Sequence, residues 1–264
     1  MRTALCQIVV TRDPKTNLER ARRALAEAAA GGADLAVFPE ATLVRFGRDI
    51  HDAAEPLDGP FVTGLAEAAR EHSLSVLAGT FEPSGDGRVY NTAVALGPDG
   101  ALRAAYRKIH LFDSFGARES DLVTPGDTPA VVELAGLRIG IITCYDVRFP
   151  ELARQLVDLG AEAFAVIAAW GSGPMKEDHW ITLVRTRAIE NTMWTIAVGQ
   201  APAAEFRDGF GVGRSMLVDP MGVVRTDLGP DDVVRVAELD PSVTERVRRT
   251  LPCLEHRRLN LKRP

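Results

Sequence analysis

The chain has 264 residues, of which 46% are hydrophobic and 25% are charged, and its formal net charge is −5. This composition is that of a folded globular protein and argues against a disordered chain. The lack of a basic excess argues against nucleic-acid binding. The uncharged apolar stretches are well short of the ~20 residues of a membrane-spanning helix, so we expect no membrane insertion.

The cysteine content is low and odd in number, with Cys6, Cys144 and Cys253. Such a count is not typical of a disulfide framework. The N-terminal residues carry neither a long apolar run nor the small-residue cleavage site of a secretory signal. We therefore expect a cytoplasmic protein in which Cys144 is a free thiol.

Apolar β-prone runs alternate with helical patterns in the first third of the chain. Asp13-Pro14 supplies an N-cap and a first-turn proline, and Gly31-Gly32 ends the helix that follows. Gly59-Pro60 opens a second helix. The predicted elements are a strand at 3–10, a helix at 18–30, a strand at 34–38, a helix at 60–72 and a strand at 74–81.

From about residue 89 onwards, the sequence also predicts β-hairpins. Pro98-Asp99-Gly100 and Ala135-Gly136 each separate two β-prone runs, as hairpin turns do. The predicted elements are strands at 89–96, 102–106, 130–134 and 137–143, a helix at 150–159, a strand at 164–169, a helix at 176–191, and strands at 193–198, 213–218 and 233–239.

The mixture of β-α-β units and hairpins predicts an α/β fold with mixed sheets covered by helices, and more than one sheet. No linker-like Pro/Gly/Ser tract interrupts the chain. We therefore expect a single domain over residues 1–264, in which the basic and polar residues 251–264 form a C-terminal tail.

Cys144 is the sharpest candidate for chemistry. It lies between the buried-strand pattern at 137–143 and a helix start at Pro150, where free backbone N–H groups favour a thiolate and hold an oxyanion. A buried structural cysteine explains the same context about equally well. The GxSxG, HExxH and CxxC motifs are absent, so neither a serine elbow nor a zinc site is predicted.

Three charged residues are further candidates. Glu40 ends the strand-like run at 35–40, where partial burial is expected to raise the pKa of its carboxyl towards that of a useful base. Lys108 follows the strand at 102–106 and offers a fixed positive charge. Glu119 lies in a polar stretch. Taken singly, each is more simply a solvated surface residue.

Several strings together resemble the nitrilase superfamily, the carbon–nitrogen hydrolases, in family order from about residue 3 to 240. The strings are Phe38-Pro39-Glu40, Tyr106-Arg107-Lys108-Ile109-His110-Leu111-Phe112, Pro125-Gly126-Asp127, Cys144-Tyr145-Asp146-Val147-Arg148-Phe149-Pro150-Glu151, Arg187-Ala188-Ile189-Glu190-Asn191 and Asp219-Pro220-Met221-Gly222. The Cys144 string is similar to that of the branch that includes ω-amidases and deaminated-glutathione amidases. It lacks the Cys-Trp-Glu of true nitrilases.

The resemblance implies an α-β-β-α four-layer sandwich with two mixed sheets, and a homodimer or higher homo-oligomer. It implies catalytic roles for Glu40, Lys108, Cys144 and Glu119, with the backbone N–H of Tyr145 in the oxyanion hole. A small amide is the implied substrate, hydrolysed through a cysteine thioester with release of ammonia, and no metal or organic cofactor is implied.

The pocket walls are less defined by the strings. Trp170 follows a strand expected beside the Cys144 strand, and it either lines the site or packs in the core. Possible neighbours of the site are Phe112, His179 and Arg148. Arg148 would either bind a substrate carboxylate or bridge to Glu151, and we favour the structural role.

Three other functions stay open at this point. An N-carbamoyl hydrolase is the nearest enzymatic alternative. A catalytically silent interaction module is a second, although such a protein would be expected to lose a triad residue. A thiol redox protein is a third, although no resolving cysteine lies near Cys144 in sequence.

Overall fold

The computed structural model describes residues 1–47, 49–203 and 210–259. Two six-stranded sheets form the centre of the molecule, with strand orders β12-β1-β2-β3-β4-β5 and β11-β10-β9-β8-β7-β6. The strands are β1 (Arg2–Gln7), β2 (Leu35–Val37), β3 (Ser75–Pro83), β4 (Val89–Leu96), β5 (Leu102–Arg107), β6 (Val131–Leu134), β7 (Leu137–Thr143), β8 (Ala163–Ala168), β9 (Trp194–Gly199), β10 (Met216–Val218), β11 (Val224–Asp227) and β12 (Val233–Glu238).

Helices cover the outer face of each sheet. The first sheet is covered by α1 and α3, and the second by α4 and α5. The helices are α1 (Pro14–Ala30), α2 (Ile50–Ala53), α3 (Pro60–His72), α4 (Pro150–Asp158), α5 (Lys176–Asn191) and α6 (Pro241–Thr250), with 3₁₀ turns at Glu119–Asp121 and Cys144–Arg148.

The inner faces of the two sheets pack against each other. Leu5, Val37 and Leu77 of the first sheet lie in one apolar cluster with Ile141 and Ile196 of the second. Separate clusters lie between each sheet and its helices. The predicted four-layer α-β-β-α sandwich with two mixed sheets is confirmed.

The strand directions determine where the site lies. In the first sheet β1, β2 and β3 are parallel, and β5 returns to the direction of β3 through the antiparallel β4. In the second sheet β7, β8 and β9 are parallel. The carboxyl ends of β2, β5 and β7 therefore present the residues that follow them to one edge of the sandwich.

Some predicted bounds were wrong. β1 ends at Gln7 rather than at residue 10, because its pairing with β12 stops there and the Ile8 carbonyl accepts a hydrogen bond from Ala201 instead. The strand predicted at 213–218 begins only at Met216. β11 and α6 were not predicted, although Asp240-Pro241 carries the same capping signal as Asp13-Pro14.

The described part of the tail rests on neighbouring helices. Arg257 pairs with Asp158 at 2.6 Å, and the Cys253 thiol lies 3.6 Å from the carbonyl of Glu190. Residues 260–264 of the predicted tail lie outside the described residues. Among the helices described, none combines the length and apolar content needed to cross a membrane.

Candidate active site

Glu40, Lys108 and Cys144 come together at the edge where their strands end. Each follows a strand directly or within three residues, because β2 ends at Val37, β5 at Arg107 and β7 at Thr143. All three line one cavity of about 510 Å³. The structure therefore brings together the three residues that the sequence strings singled out.

The charged groups form a buried cluster around the Lys108 ammonium. Lys108 Nζ lies 2.9 Å from Glu40 Oε1, and 3.0 and 2.9 Å from the two carboxylate oxygens of Glu119. Glu40 and Lys108 are each 2% exposed and Glu119 is 5% exposed. An ammonium removed from water in this way is stabilised only because both carboxylates contact it.

Two further groups hold the carboxylates in place. The Asn91 side chain, on β4, donates to Glu40 Oε1 at 2.7 Å and to Glu119 Oε1 at 3.2 Å. The backbone N–H of Ala169 donates to Glu40 Oε2 at 2.7 Å. Both oxygens of Glu40 therefore have donors, which fixes the direction in which the carboxylate faces.

These contacts reverse the expected behaviour of Glu40. Burial alone raises the pKa of its carboxyl, but the charge of Lys108 and the hydrogen bonds from Ala169, Lys108 and Asn91 outweigh burial. The pKa of Glu40 therefore lies below its ordinary value, and the expectation of a raised pKa was wrong. Sequence showed that Glu40 ends a strand, but it did not show that an ammonium contacts it.

The Cys144 thiol is held protonated. Burial and the negative charge of Glu40 raise the pKa of the thiol well above its ordinary value, and the positive charge of Lys108 offsets only part of this. Burial lowers the pKa of Lys108, but the charges of Glu119 and Glu40 raise it well above its ordinary value. The resting site therefore holds a thiol, one ammonium and two carboxylates.

Cys144 lies at a tight turn between β7 and α4. Its φ of 50° is in the left-handed region that non-glycine residues rarely adopt, and the 3₁₀ turn Cys144–Arg148 starts at the thiol. The backbone N–H of Tyr145 directly follows Cys144 at this turn.

Asp146 ties this turn to the segment that carries Lys108. Its carboxylate accepts from the hydroxyl of Tyr106 at 2.7 Å, from the backbone N–H of His110 at 2.9 Å and from the backbone N–H of Thr143 at 3.1 Å. Tyr106 and His110 each lie two residues from Lys108, and Thr143 precedes the thiol. One buried carboxylate thus links the segments that carry Lys108 and Cys144.

Six of the eighteen described residues that line the cavity are aromatic. Trp170, Phe112 and Tyr145 line the cavity, as does Phe115. Arg148 and His179 do not line it: Arg148 lies 5.1 Å from the Trp170 ring centroid and 3.4 Å from His179 Nδ1. Among the described residues, Arg148 makes no ion pair with Glu151.

Sequence reasoning missed several residues of the site. Asn91 had a signal, because a buried amide within a strand needs hydrogen-bond partners. Lys176 had none, because its approach to the cavity depends on the loop that carries Phe112 and Phe115. Within the described ranges, no group of three His, Cys, Asp or Glu side chains is arranged to hold a metal ion.

A two-sheet sandwich with a thiol, an ammonium and two carboxylates at a cavity floor defines a class of enzyme, the hydrolases that act through a cysteine. Comparison of the sequence with known protein families identifies the family within this class. The family model described as carbon-nitrogen hydrolase matches residues 2–249, and the chain belongs to this family.

Relatives and solved structures agree with this assignment. The chain is 36% identical to a deaminated glutathione amidase of Escherichia coli O157:H7 over 265 residues, covering 98% of this chain and 97% of that protein. It is 32% identical to an omega-amidase of Mus musculus over 269 residues, covering 98% and 96%.

A solved mutant amidase of Nesterenkonia sp. AN1, with acrylamide added to its active-site cysteine, superposes with a TM-score of 0.81 at 27% identity, covering 96% of this chain and 98% of that one. The prediction of an amidase-type carbon–nitrogen hydrolase acting on a small amide is confirmed.

Proposed function

We propose that Cys144, Glu40 and Lys108 hydrolyse a small amide through a thioester. The proton of the Cys144 thiol moves to the Glu40 carboxylate as sulfur bonds to the amide carbon. The resulting oxyanion binds the Lys108 ammonium and the backbone N–H of Tyr145. The observation that carries the proposal is the Lys108 ammonium held between Glu40 and Glu119 beside the thiol.

The second half of the reaction uses the same groups. Glu40 gives its proton to the leaving nitrogen as the C–N bond breaks, which releases ammonia and leaves the acyl group on sulfur. Glu40 then accepts a proton from water as the water oxygen attacks the thioester carbon. The acid leaves and the proton returns to the thiol, so that the enzyme is unchanged.

Glu119 acts in this proposal by positioning Lys108. Both of its oxygens contact the ammonium, and one also accepts from the backbone N–H of Phe112 at 2.6 Å. These contacts occupy the carboxylate and support a role on Lys108 over one on the substrate nitrogen.

The proposed substrate class is an ω-amide, in which the amide ends a short chain. The names of the relatives, an omega-amidase and a deaminated glutathione amidase, support this class. An N-carbamoyl acid is the alternative, because the same thioester chemistry cleaves it. The complete set of Glu40, Lys108, Glu119 and Cys144 supports an active enzyme over a silent interaction module.

We also propose that the chain forms homo-oligomers and acts in the cytoplasm. An exposed apolar group made of Ile189, Met221 and Val223 supports association between copies. The cysteines are all free, which suits a reducing compartment.

Ammonia release tests the proposed function. The wild type, Cys144→Ala and the control Cys253→Ala are each incubated with an ω-amide, an N-carbamoyl acid and a simple nitrile. We expect ammonia from the ω-amide with the wild type and with Cys253→Ala, and none with Cys144→Ala. An acid-quenched sample should contain the protein with an acyl mass added on Cys144.

The substrate that releases ammonia distinguishes the ω-amide from the alternatives. Ammonia from the N-carbamoyl acid alone would replace the ω-amide by the alternative substrate class. Turnover of the nitrile alone, or ammonia release that survives in Cys144→Ala, would contradict the proposed mechanism.

A further inference from the structure

The cavity has three cations among the described residues, and two of them have carboxylate partners. Lys108 contacts Glu40 and Glu119, and Arg118 lies 3.3 Å from Asp121. Lys176 also lines the cavity, but no described carboxylate lies within ion-pair distance of its ammonium. Its charge is therefore not compensated by the protein around it.

Aromatic rings hold the Lys176 ammonium at the cavity wall. Its Nζ lies 4.6 Å from the ring centroid of Phe112, 4.1 Å from that of Phe115 and 5.8 Å from that of Trp170. Such contacts attract a cation without neutralising it. The side chain is thereby fixed in direction while its charge stays available.

A role in helix stability does not explain this lysine. Lys176 is the first residue of α5, where the helix dipole favours acidic side chains and disfavours a cation. Partial burial and the nearby positive charge of Arg148 lower the pKa of Lys176. A group that is disfavoured on both counts, and faces a substrate cavity, is typical of a binding site.

The cavity is lined by two charge groups of opposite net sign. At the floor, Glu40, Glu119 and Lys108 sum to −1, so a negative group on the substrate is repelled there. At the wall, Lys176 Nζ and the Arg148 guanidinium both lie near the Trp170 ring, 5.8 Å and 5.1 Å from its centroid. An anionic substrate therefore has one favourable orientation, with its charge towards Lys176 and its amide towards Cys144.

We infer that Lys176 is a specificity-determining residue that binds a carboxylate at the far end of the substrate, with the nearby Arg148 adding positive charge. The inference rests on the proposed function, since it orients an amide towards Cys144. It narrows the substrate class to amides whose other end is a carboxylate.

The experiment compares two amides of equal chain length. Succinamate ends in a carboxylate, and butyramide has a methyl group at the same place. kcat/KM for both is measured in the wild type, Lys176→Met, Lys176→Arg and the control Lys15→Met, which removes an exposed lysine of α1. Methionine keeps most of the apolar stem that contacts the rings.

We expect Lys176→Met to lower kcat/KM for succinamate by about 10- to 100-fold, mainly through KM, the range for loss of a charge-assisted hydrogen bond. Butyramide should change by less than about 3-fold, and Lys176→Arg should keep most of the preference. An equal loss for both amides, or no loss for either, would overturn the inference while leaving the amidase function intact.

Binding of succinate, measured by calorimetry, separates this inference from the proposed function. Succinate carries the same carboxylate and needs no turnover. It should bind wild type and Lys15→Met about 10-fold or more tightly than Lys176→Met. If neither amide is hydrolysed, the proposed function fails for these substrates. Equal binding of succinate by wild type and Lys176→Met would overturn the carboxylate-binding role of Lys176.

Discussion

Replacing Lys108 with methionine should make the protein less stable at high pH than at low pH. The ammonium lies 2.9 Å from oxygens of both Glu40 and Glu119, and all three groups are almost fully buried. Removing one partner of a buried ion pair costs about 3–5 kcal/mol, because the remaining charge is left uncompensated. Lys108→Met leaves two carboxylates in this state.

The direction of the pH effect follows from the carboxylates. In the wild type the pKa of Glu40 is lower in the folded than in the unfolded state. The ionised carboxylate therefore stabilises the fold at pH values above the unfolded-state pKa. This stabilisation is lost as the pH falls through the folded-state pKa. Without Lys108, burial and Glu119 raise the folded pKa of Glu40. The ionised carboxylate then destabilises the fold at high pH, and the loss is recovered as pH falls through the raised pKa.

Urea unfolding at pH 8 and at pH 5 measures the free energy of unfolding of wild type and Lys108→Met. At pH 8 the free energy of unfolding of Lys108→Met should be about 3–5 kcal/mol below that of wild type. Each pH unit below the raised pKa should return about 1.4 kcal/mol. Lys15→Met, which removes an exposed lysine, should differ from wild type by less than about 0.5 kcal/mol at either pH.

A double variant sharpens the test. Lys108→Met with Glu119→Gln removes one of the two opposed carboxylates and should be more stable than Lys108→Met alone at pH 8. If Lys108→Met is equally destabilised at both pH values, or the double variant is the less stable, then packing and not charge explains the effect, and the electrostatic argument for the site is wrong.

Two further variants test the geometry around Glu40. Glu40→Gln removes a charge that raises the pKa of Cys144. In a Cys253→Ala background, iodoacetamide at pH 8 should therefore alkylate Cys144 several-fold faster than without the Glu40 substitution. Ammonia release should fall about 100-fold or more. Parallel losses in both assays would refute this. In Gly79→Ala the added Cβ would lie 2.4 Å from Ala41 N and 2.7 Å from Glu40 Cα. This should displace Glu40, lower kcat about 10-fold or more and cost about 1–3 kcal/mol of stability, whereas Gly47→Ala, with open space around it, should be silent in thermal unfolding and turnover.

The sequence predicted the positions of the site residues better than their electrostatics. Glu40, Lys108 and Cys144 each follow a strong strand pattern, and the carboxyl ends of such strands meet at one edge of a sheet. The pKa of Glu40 depends instead on Lys108, Asn91 and Ala169, which come from other parts of the chain. No local pattern reports those distances.

Strand register and loop conformation account for the rest of what was missed. Asn91 reaches the site because β4 lies beside β5, and the backbone N–H of Lys108 donates to the carbonyl of Asn91 at 2.9 Å. Lys176 reaches it because Phe112 and Phe115 lie around its ammonium. The omission of α6 is different, because Asp240-Pro241 is a readable capping signal.

In the proposed mechanism, the charges of the resting site explain why Cys144 is kept as a thiol. A thiolate would add a second net negative charge beside Glu40 and Glu119, so the proton leaves sulfur favourably only as the bond to the substrate forms. When Glu40 accepts that proton, Lys108 keeps only Glu119 as its charged partner. Its ammonium then becomes available to the oxyanion at the moment when the oxyanion appears. Because the pKa of the thiol is raised, Cys144 should also react slowly with alkylating reagents when no amide is bound.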